Sequence, residues 1–74
     1  MKLNPIARNM TEVRFGDNTM LFSYKTPVAV CIRGEGWYRT EKKWSVTTSR
    51  HINKWLAGIN ATERPQSFFD GLTG

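Results

Sequence analysis

Cysteine and histidine are almost absent from the sequence, since Cys31 and His51 are the single examples among 74 residues. One cysteine excludes an internal disulfide and a zinc site built from cysteines. The apolar run around Cys31 predicts a buried thiol, which suits a reducing cytosol. One histidine has no companion ligands, so we expect His51 to be a surface residue or to support a neighbouring side chain. We expect no metal and no other cofactor.

Acidic residues are also few, because the six Asp and Glu residues are scattered with no D-x-D or E-x-x-H spacing. A catalytic site needs an activated group with partners in reach, and this inventory offers none. Gly34 and Gly36 form G-x-G but lack the third glycine and the following helix of a nucleotide-binding turn. They are better explained by a hairpin. We therefore predict a binding protein and no enzyme.

Long apolar runs are missing as well. No run approaches the roughly 18 residues that span a bilayer, and the N-terminus lacks the charged and then apolar segments of a secretory signal. These features predict a cytoplasmic protein. A chain of 74 residues has room for one domain, and its apolar fraction of 39% suffices for a small core.

Positive charge is concentrated in the stretch Trp37–Leu56, WYRTEKKWSVTTSRHINKWL, which also holds the three tryptophans. With one acid, Glu41, it contributes +4 of the formal net charge of +5. A local basic field attracts a phosphate backbone or an acidic protein surface over about 8 to 10 Å. The candidate binding residues of this stretch are Arg39, Lys42, Lys43, Arg50 and Lys54.

Hairpin patterns precede this stretch. Residues 12–15 and 19–23 are strand-like and flank the turn signal Gly16-Asp17-Asn18, and residues 28–33 form a β-branched, nearly continuous apolar run typical of a central strand. Residues 37–40, after the turn at 34–36, are rich in strand formers. The pattern predicts an antiparallel meander of three or four strands.

A helix is predicted to begin near Thr47 or Thr48 and to stop near Gly58. Its apolar stripe should face the sheet, with Arg50 and Lys54 exposed on another face; the stripe consists of Ile52, Trp55, Leu56 and Ile59. Pro65 favours a short helix over residues 66–70, from which Phe68 or Phe69 caps the core. The predicted fold class is α+β, with a small antiparallel sheet covered by one helix and a short C-terminal helix.

Residues 1–10 are interpreted as an extended N-terminal tail, and residues 11–74 as a single domain. Asn4, Pro5 and Asn9 interrupt any period in the tail. The tail is either frayed or docks on a partner. In the second case the candidate contact residues are Leu3, Asn4, Ile6 and Arg8.

The segment Lys42-Lys43-Trp44 precedes the hydroxyl residues Ser45, Thr47, Thr48 and Ser49. Lysines neutralise phosphates, hydroxyls and helix N-terminal amides bind phosphate oxygens, and an exposed tryptophan stacks on a base. Alternatively, Trp44 anchors the core, the hydroxyls cap a helix and the lysines lie in a solvated turn. An acidic protein partner is a third possibility, because aromatic residues and arginine are enriched at interfaces. The sequence leaves these alternatives open.

Two blocks of sequence, TPVAV at residues 26–30 and KKWSVTTSRHINKW at residues 42–55, resemble a family of small, mostly uncharacterised bacteriophage proteins. The resemblance covers Leu21 to Leu56 and implies a phage origin and a place in the cytoplasm of the bacterial host. Size, basic charge and the N-terminal tail are similar to those of small phage transcription regulators that bind host RNA polymerase, as initiation inhibitors or antiterminators.

The leading hypothesis is therefore a monomeric regulator that binds host RNA polymerase. The alternatives are direct binding of DNA or RNA, and inhibition of a host defence nuclease.

Overall fold

Six strands form one sheet, in which the strands lie in the same order as in the sequence. The computed structural model describes residues 2–7 and 9–73. Strands β1 to β5 form an antiparallel meander, and β6 is parallel to β5. The strands are β1 Lys2–Ala7, β2 Met10–Phe15, β3 Asn18–Ser23, β4 Thr26–Ile32, β5 Gly36–Thr40 and β6 Thr62–Arg64; the helices are α1 Val46–Leu56 and α2 Gln66–Thr73. The predicted α+β class is confirmed.

Helix α1 begins and ends at residues whose chemistry suits a helix terminus. The Ser45 hydroxyl accepts a hydrogen bond from the backbone N–H of Thr48 at 3.2 Å, and so caps the N-terminus. Ala57 adopts the left-handed conformation and donates its N–H to the carbonyl of Asn53, which closes the last turn. The helix therefore starts one or two residues before the predicted position and stops, as predicted, just before Gly58.

The two helices cover opposite faces of the sheet. Neighbouring residues along a strand point to opposite faces, so adjacent residues such as Met20 and Leu21 belong to different cores. The core on the α1 side contains the buried residues Met10, Leu21, Val28, Ala29, Ile52 and Leu56. The core on the α2 side contains Met20, Val30 and Phe69. Phe69 has no exposed surface, so the prediction that Phe68 or Phe69 caps the core is confirmed. Helix α2 runs past the expected stop at Gly71.

The N-terminal segment is a strand of the sheet, which corrects its interpretation as a separate tail. It is extended, as expected, but Leu3 pairs with Val13 and Pro5 with Thr11 in an antiparallel ladder. Pro5 lacks a backbone N–H, so it is tolerated only where a strand has a free side or an irregularity. Both conditions hold here, since β1 is the edge strand and its register shifts between Pro5 and Ala7. With β1 and the short β6, the sheet has six strands where three or four were predicted.

Candidate interaction surface on the α1 side

Arg39 is positioned by the pairing of β5 with its neighbours and by helix α1. Its guanidinium Nη1 donates to the side-chain oxygen of Asn53 on α1 at 3.3 Å. Lys42 and Lys43 follow in the segment that joins β5 to α1, and both are exposed. These three cations line an open cleft of about 430 Å³, together with the N-cap Ser45 and residues of the first turns of α1, among them Ser49.

Arg50 and Lys54 lie on the exposed side of α1. They follow Val46 at intervals of four residues, so the three side chains form one ridge along the helix. Val46 is an apolar side chain that is 70% exposed. Helix α1 contains no acidic residue in its sequence VTTSRHINKWL. The ridge is therefore cationic, with an apolar residue at its N-terminal end.

The five cations, Arg39, Lys42, Lys43, Arg50 and Lys54, are here called the basic face. Among the described residues the one salt bridge joins Arg33 to Asp17 at 3.6 Å, and both side chains are largely exposed. Glu41 and Glu63 also line the cleft but form no salt bridge with the basic face. The positive field of these side chains is therefore reduced by solvent, by salt and by these two nearby carboxylates, but not by direct pairing.

Trp44 lies at the surface, where it is 40% exposed. Its indole N–H donates to the Oε1 of Gln66 at 3.1 Å, and the Nζ of Lys42 lies 4.2 Å from the ring centroid. The suggestion that Trp44 anchors the core is therefore wrong. One face of the ring is occupied by the Lys42 ammonium, in the geometry of a cation–π contact.

The hydroxyl residues before and within α1 divide into two groups. Thr48 is buried, and its Oγ1 lies 3.0 Å from the Oγ of Ser23 on β3. The same Ser23 oxygen lies 2.8 Å from the Nδ1 of His51. Thr48 is thus engaged inside the protein and is not free to bind a phosphate. Thr47 and Ser49 remain exposed.

Sequence reasoning missed Ser23 and Gln66. Gln66 accepts a hydrogen bond from the Thr40 hydroxyl at 2.8 Å and donates its Nε2 to the carbonyl of Pro27, also at 2.8 Å. It therefore connects α2 with β4, β5 and the loop that carries Trp44. A glutamine that follows a proline gives no local signal of this role. The spacing of Thr48 from Ile52 and Leu56, four and eight residues, was the available sign that Thr48 faces inward.

Leu3, the N-terminal candidate whose side chain the structure describes, lies far from the basic face. Strand β1 is separated from β5 by three intervening strands, so the two are about 19 Å apart at the usual inter-strand spacing. Leu3 is exposed on β1. Arg8 lies outside the described residues, as do the side chains of Asn4 and Ile6. The structure does not bring Leu3 together with the cations of the α1 side.

Neither a metal centre nor a membrane helix is found in residues 2–7 and 9–73. No group of three His, Cys, Asp or Glu side chains there lies close enough to hold a metal ion. Neither α1 nor α2 is long and apolar enough to cross a membrane.

Comparison with known proteins places the chain in a family. No curated protein and no solved structure shows significant similarity to it. A family profile, by contrast, matches residues 1–71, which include every strand and most of α2. The chain therefore belongs to the family of unknown function DUF8033.

Proposed function

We propose that the protein is a phage-encoded regulator that binds an acidic surface of the host transcription machinery, with host RNA polymerase as the target, and that it does so through the basic face. The observation that carries the proposal is the set of five cations on the α1 side that form no salt bridge within residues 2–7 and 9–73. Charges of this kind steer a partner of opposite sign and raise its association rate. The resemblance to phage proteins supports a bacterial target.

A protein partner is favoured over nucleic acid by Val46. This exposed apolar side chain shares a ridge with Arg50 and Lys54. Protein interfaces combine an apolar centre with a charged rim, and arginine is enriched in them. A phosphate backbone offers no apolar partner for Val46. In addition, the ammonium of Lys42 covers one face of the Trp44 ring, which leaves less of the ring for stacking on a base.

Direct binding of DNA or RNA is the second candidate. It is favoured by the position of Lys42, Lys43 and the partly exposed Trp44 beside the N-terminus of α1. Helix N-terminal amides and lysine side chains both bind phosphate groups. The two candidates predict different dependence on salt, since contacts with phosphates release counterions.

The test measures the affinity of the full-length protein for purified bacterial RNA polymerase. We compare the double substitution Arg50→Glu/Lys54→Glu with the control Arg14→Glu/Arg33→Glu, which has the same net charge. Arg14 and Arg33 are exposed and lie outside α1 and its cleft. We expect the first pair to weaken binding at least tenfold and the control pair to change it less than threefold. Val46→Asp should also weaken binding.

If both double variants lose affinity equally, the effect depends on net charge alone, and the basic face is not the contact surface.

The second candidate, direct binding of nucleic acid, is tested in parallel with random DNA and RNA at about 50 mM salt. If it holds, removing Lys42, Lys43, Arg50 and Lys54 lowers the slope of log affinity against log salt by up to about 4. Strong nucleic-acid binding without polymerase binding would favour that candidate.

A further inference from the structure

An apolar groove lies on the face of the sheet opposite the basic face. Helix α2 packs on β4 and buries Met20 of β3, but an open groove remains over β1, β2 and the rest of β3. The groove has a volume of about 360 Å³. Its main apolar lining residues are Leu3, Val13, Phe15, Phe22 and Leu72.

The floor of the groove follows from strand register. Leu3 is paired with Val13, and Val13 with Met20, so these side chains stand in a row across three strands. Leu72, near the end of α2, borders the groove. Leu3 on the edge strand is 68% exposed, whereas its cross-strand partner Val13 is buried. The groove is thus a continuous apolar surface rather than a set of isolated side chains.

The shape of the groove indicates which kind of ligand fits it. It is open to solvent along one side, whereas sites for small molecules usually enclose 70 to 90% of their ligand. Three strands span about 10 Å between their outer axes, which is about the width of one helix. Helix α1 covers the other face of the sheet, and a sheet face is normally covered by a packed layer. A helix supplied by another protein would complete the layer that α2 leaves incomplete.

The charge at the groove indicates which charged residues that helix would carry. Lys25 is the one charged side chain among the described residues that line the groove, and it is exposed. It forms no salt bridge within the part of the chain that the structure describes. An acidic residue of an incoming helix would therefore find an unpaired ammonium beside an apolar surface.

We propose that this groove binds an amphipathic helix of a partner protein, with the apolar ridge of the helix against Leu3 and Phe22 and an acidic side chain facing Lys25. This mode is helix-in-groove recognition, in which anchors recur at i, i+3, i+4 and i+7. The site goes beyond the proposed function and lies on the opposite face from the residues that carry it. Either proposal can therefore fail without the other.

The test selects binders from a displayed library of amphipathic helical peptides on the immobilised full-length protein. The selected peptides are then measured against Leu3→Asp, Lys25→Glu and the control Val46→Asp. Val46→Asp introduces the same charge at an equally exposed apolar position on the other face. We expect selection of an apolar ridge flanked by Asp or Glu, a loss of affinity of at least tenfold in Leu3→Asp, and no change in Val46→Asp. Lys25→Glu should change the preference from acidic to basic peptides.

Backbone amide shifts in isotope-labelled protein locate the bound peptide, and the melting temperature of each variant confirms that it folds. Shifts confined to β1, β2, β3 and the end of α2 support the proposal. Selection of basic peptides, binding that Val46→Asp abolishes, or the absence of any groove binder would overturn it. Concentration-dependent dimerisation of the free protein that Leu3→Asp abolishes would also overturn it, because a second copy would then occupy the groove. The variant Arg50→Glu/Lys54→Glu should bind the peptides normally.

Discussion

The Nδ1 atom of His51 lies 2.8 Å from the Oγ atom of Ser23, a hydroxyl that is almost completely buried beneath helix α1. Ser23 also lies within hydrogen-bonding distance of Thr48, whose hydroxyl lies 3.3 Å from that of Ser45. The four side chains form a polar chain from the helix N-terminus to strand β3. They fix the rotation of α1 about its own axis, and hence the direction in which Arg50 and Lys54 point.

Ser23→Ala should lower the free energy of unfolding by about 1 to 3 kcal/mol. The substitution removes a buried hydrogen-bonding group and leaves Thr48 and His51 each without one partner. Urea denaturation followed by circular dichroism measures the loss. Ser49→Ala is the control, because Ser49 is exposed on the same helix, and it should change stability by less than about 0.5 kcal/mol. Equal effects of the two substitutions would show that the polar chain contributes nothing to stability.

Gln66→Ala should release the Trp44 side chain from its position. The substitution removes the acceptor of the indole N–H and the donor to the Pro27 carbonyl, so we expect a loss of about 1 to 3 kcal/mol. The indole N–H resonance of Trp44 should move and exchange faster with solvent, while those of Trp37 and Trp55 stay in place. Ser67→Ala, at the exposed neighbouring position, serves as the control. An unchanged Trp44 resonance would contradict the assigned contact.

Trp55→Ala should destabilise the protein by about 3 kcal/mol, at the lower end of the range for buried aromatics because Trp55 is only half-buried. Its ring packs edge-on against Trp37 at 5.3 Å between centroids, and its indole N–H donates to Glu12 on β2. Trp44→Ala provides a matched comparison at an exposed tryptophan and should cost less. A melting temperature for Trp55→Ala within a few degrees of wild type would show that the face of α1 is misplaced.

Deleting residues 2–8 should destabilise the fold, since β1 is a paired strand. The deletion removes the β1–β2 ladder, in which Leu3 pairs with the buried Val13. We expect a drop of at least about 2 kcal/mol, which circular dichroism and denaturation measure. Leu3→Ser removes the same exposed side chain but keeps the strand, and it should change stability by less than about 1 kcal/mol. If the deletion leaves the melt unchanged, the pairing of β1 is dispensable.

The elements predicted correctly are those whose signals are local. Ser45 and Gly58 mark the ends of α1, and the turn at Gly16-Asp17 joins β2 to β3 directly, with Gly16 at a φ of +57°. Strand β1 was missed because Pro5 and two asparagines disrupt its period, although an edge strand tolerates them. Strand β6 was missed because it has three residues and no apolar pattern, and its pairing with β5 depends on the position of α1.

The candidate surface was predicted in part. The cations of residues 37–56 do lie on the α1 side, because a short loop and an amphipathic helix leave little choice of position. The inward direction of Thr48 and its contact with Ser23 depend on tertiary packing between residues far apart in the sequence. A hydroxyl that caps, binds phosphate or bonds within the core has the same local signature. Sequence alone could not separate these roles.

The parallel pairing of β5 with β6 joins two strands that lie far apart in the sequence. The hairpins of the meander close through short turns, so their contacts form at little entropic cost. Tyr38 of β5 pairs with Thr62 of β6, although the whole of α1 lies between these two residues in the sequence. We infer that the meander and α1 fold first, and that β6 with α2 joins last as the least stable cooperative unit. Amide protons of β6 should then exchange with solvent sooner than those of β3 and β4.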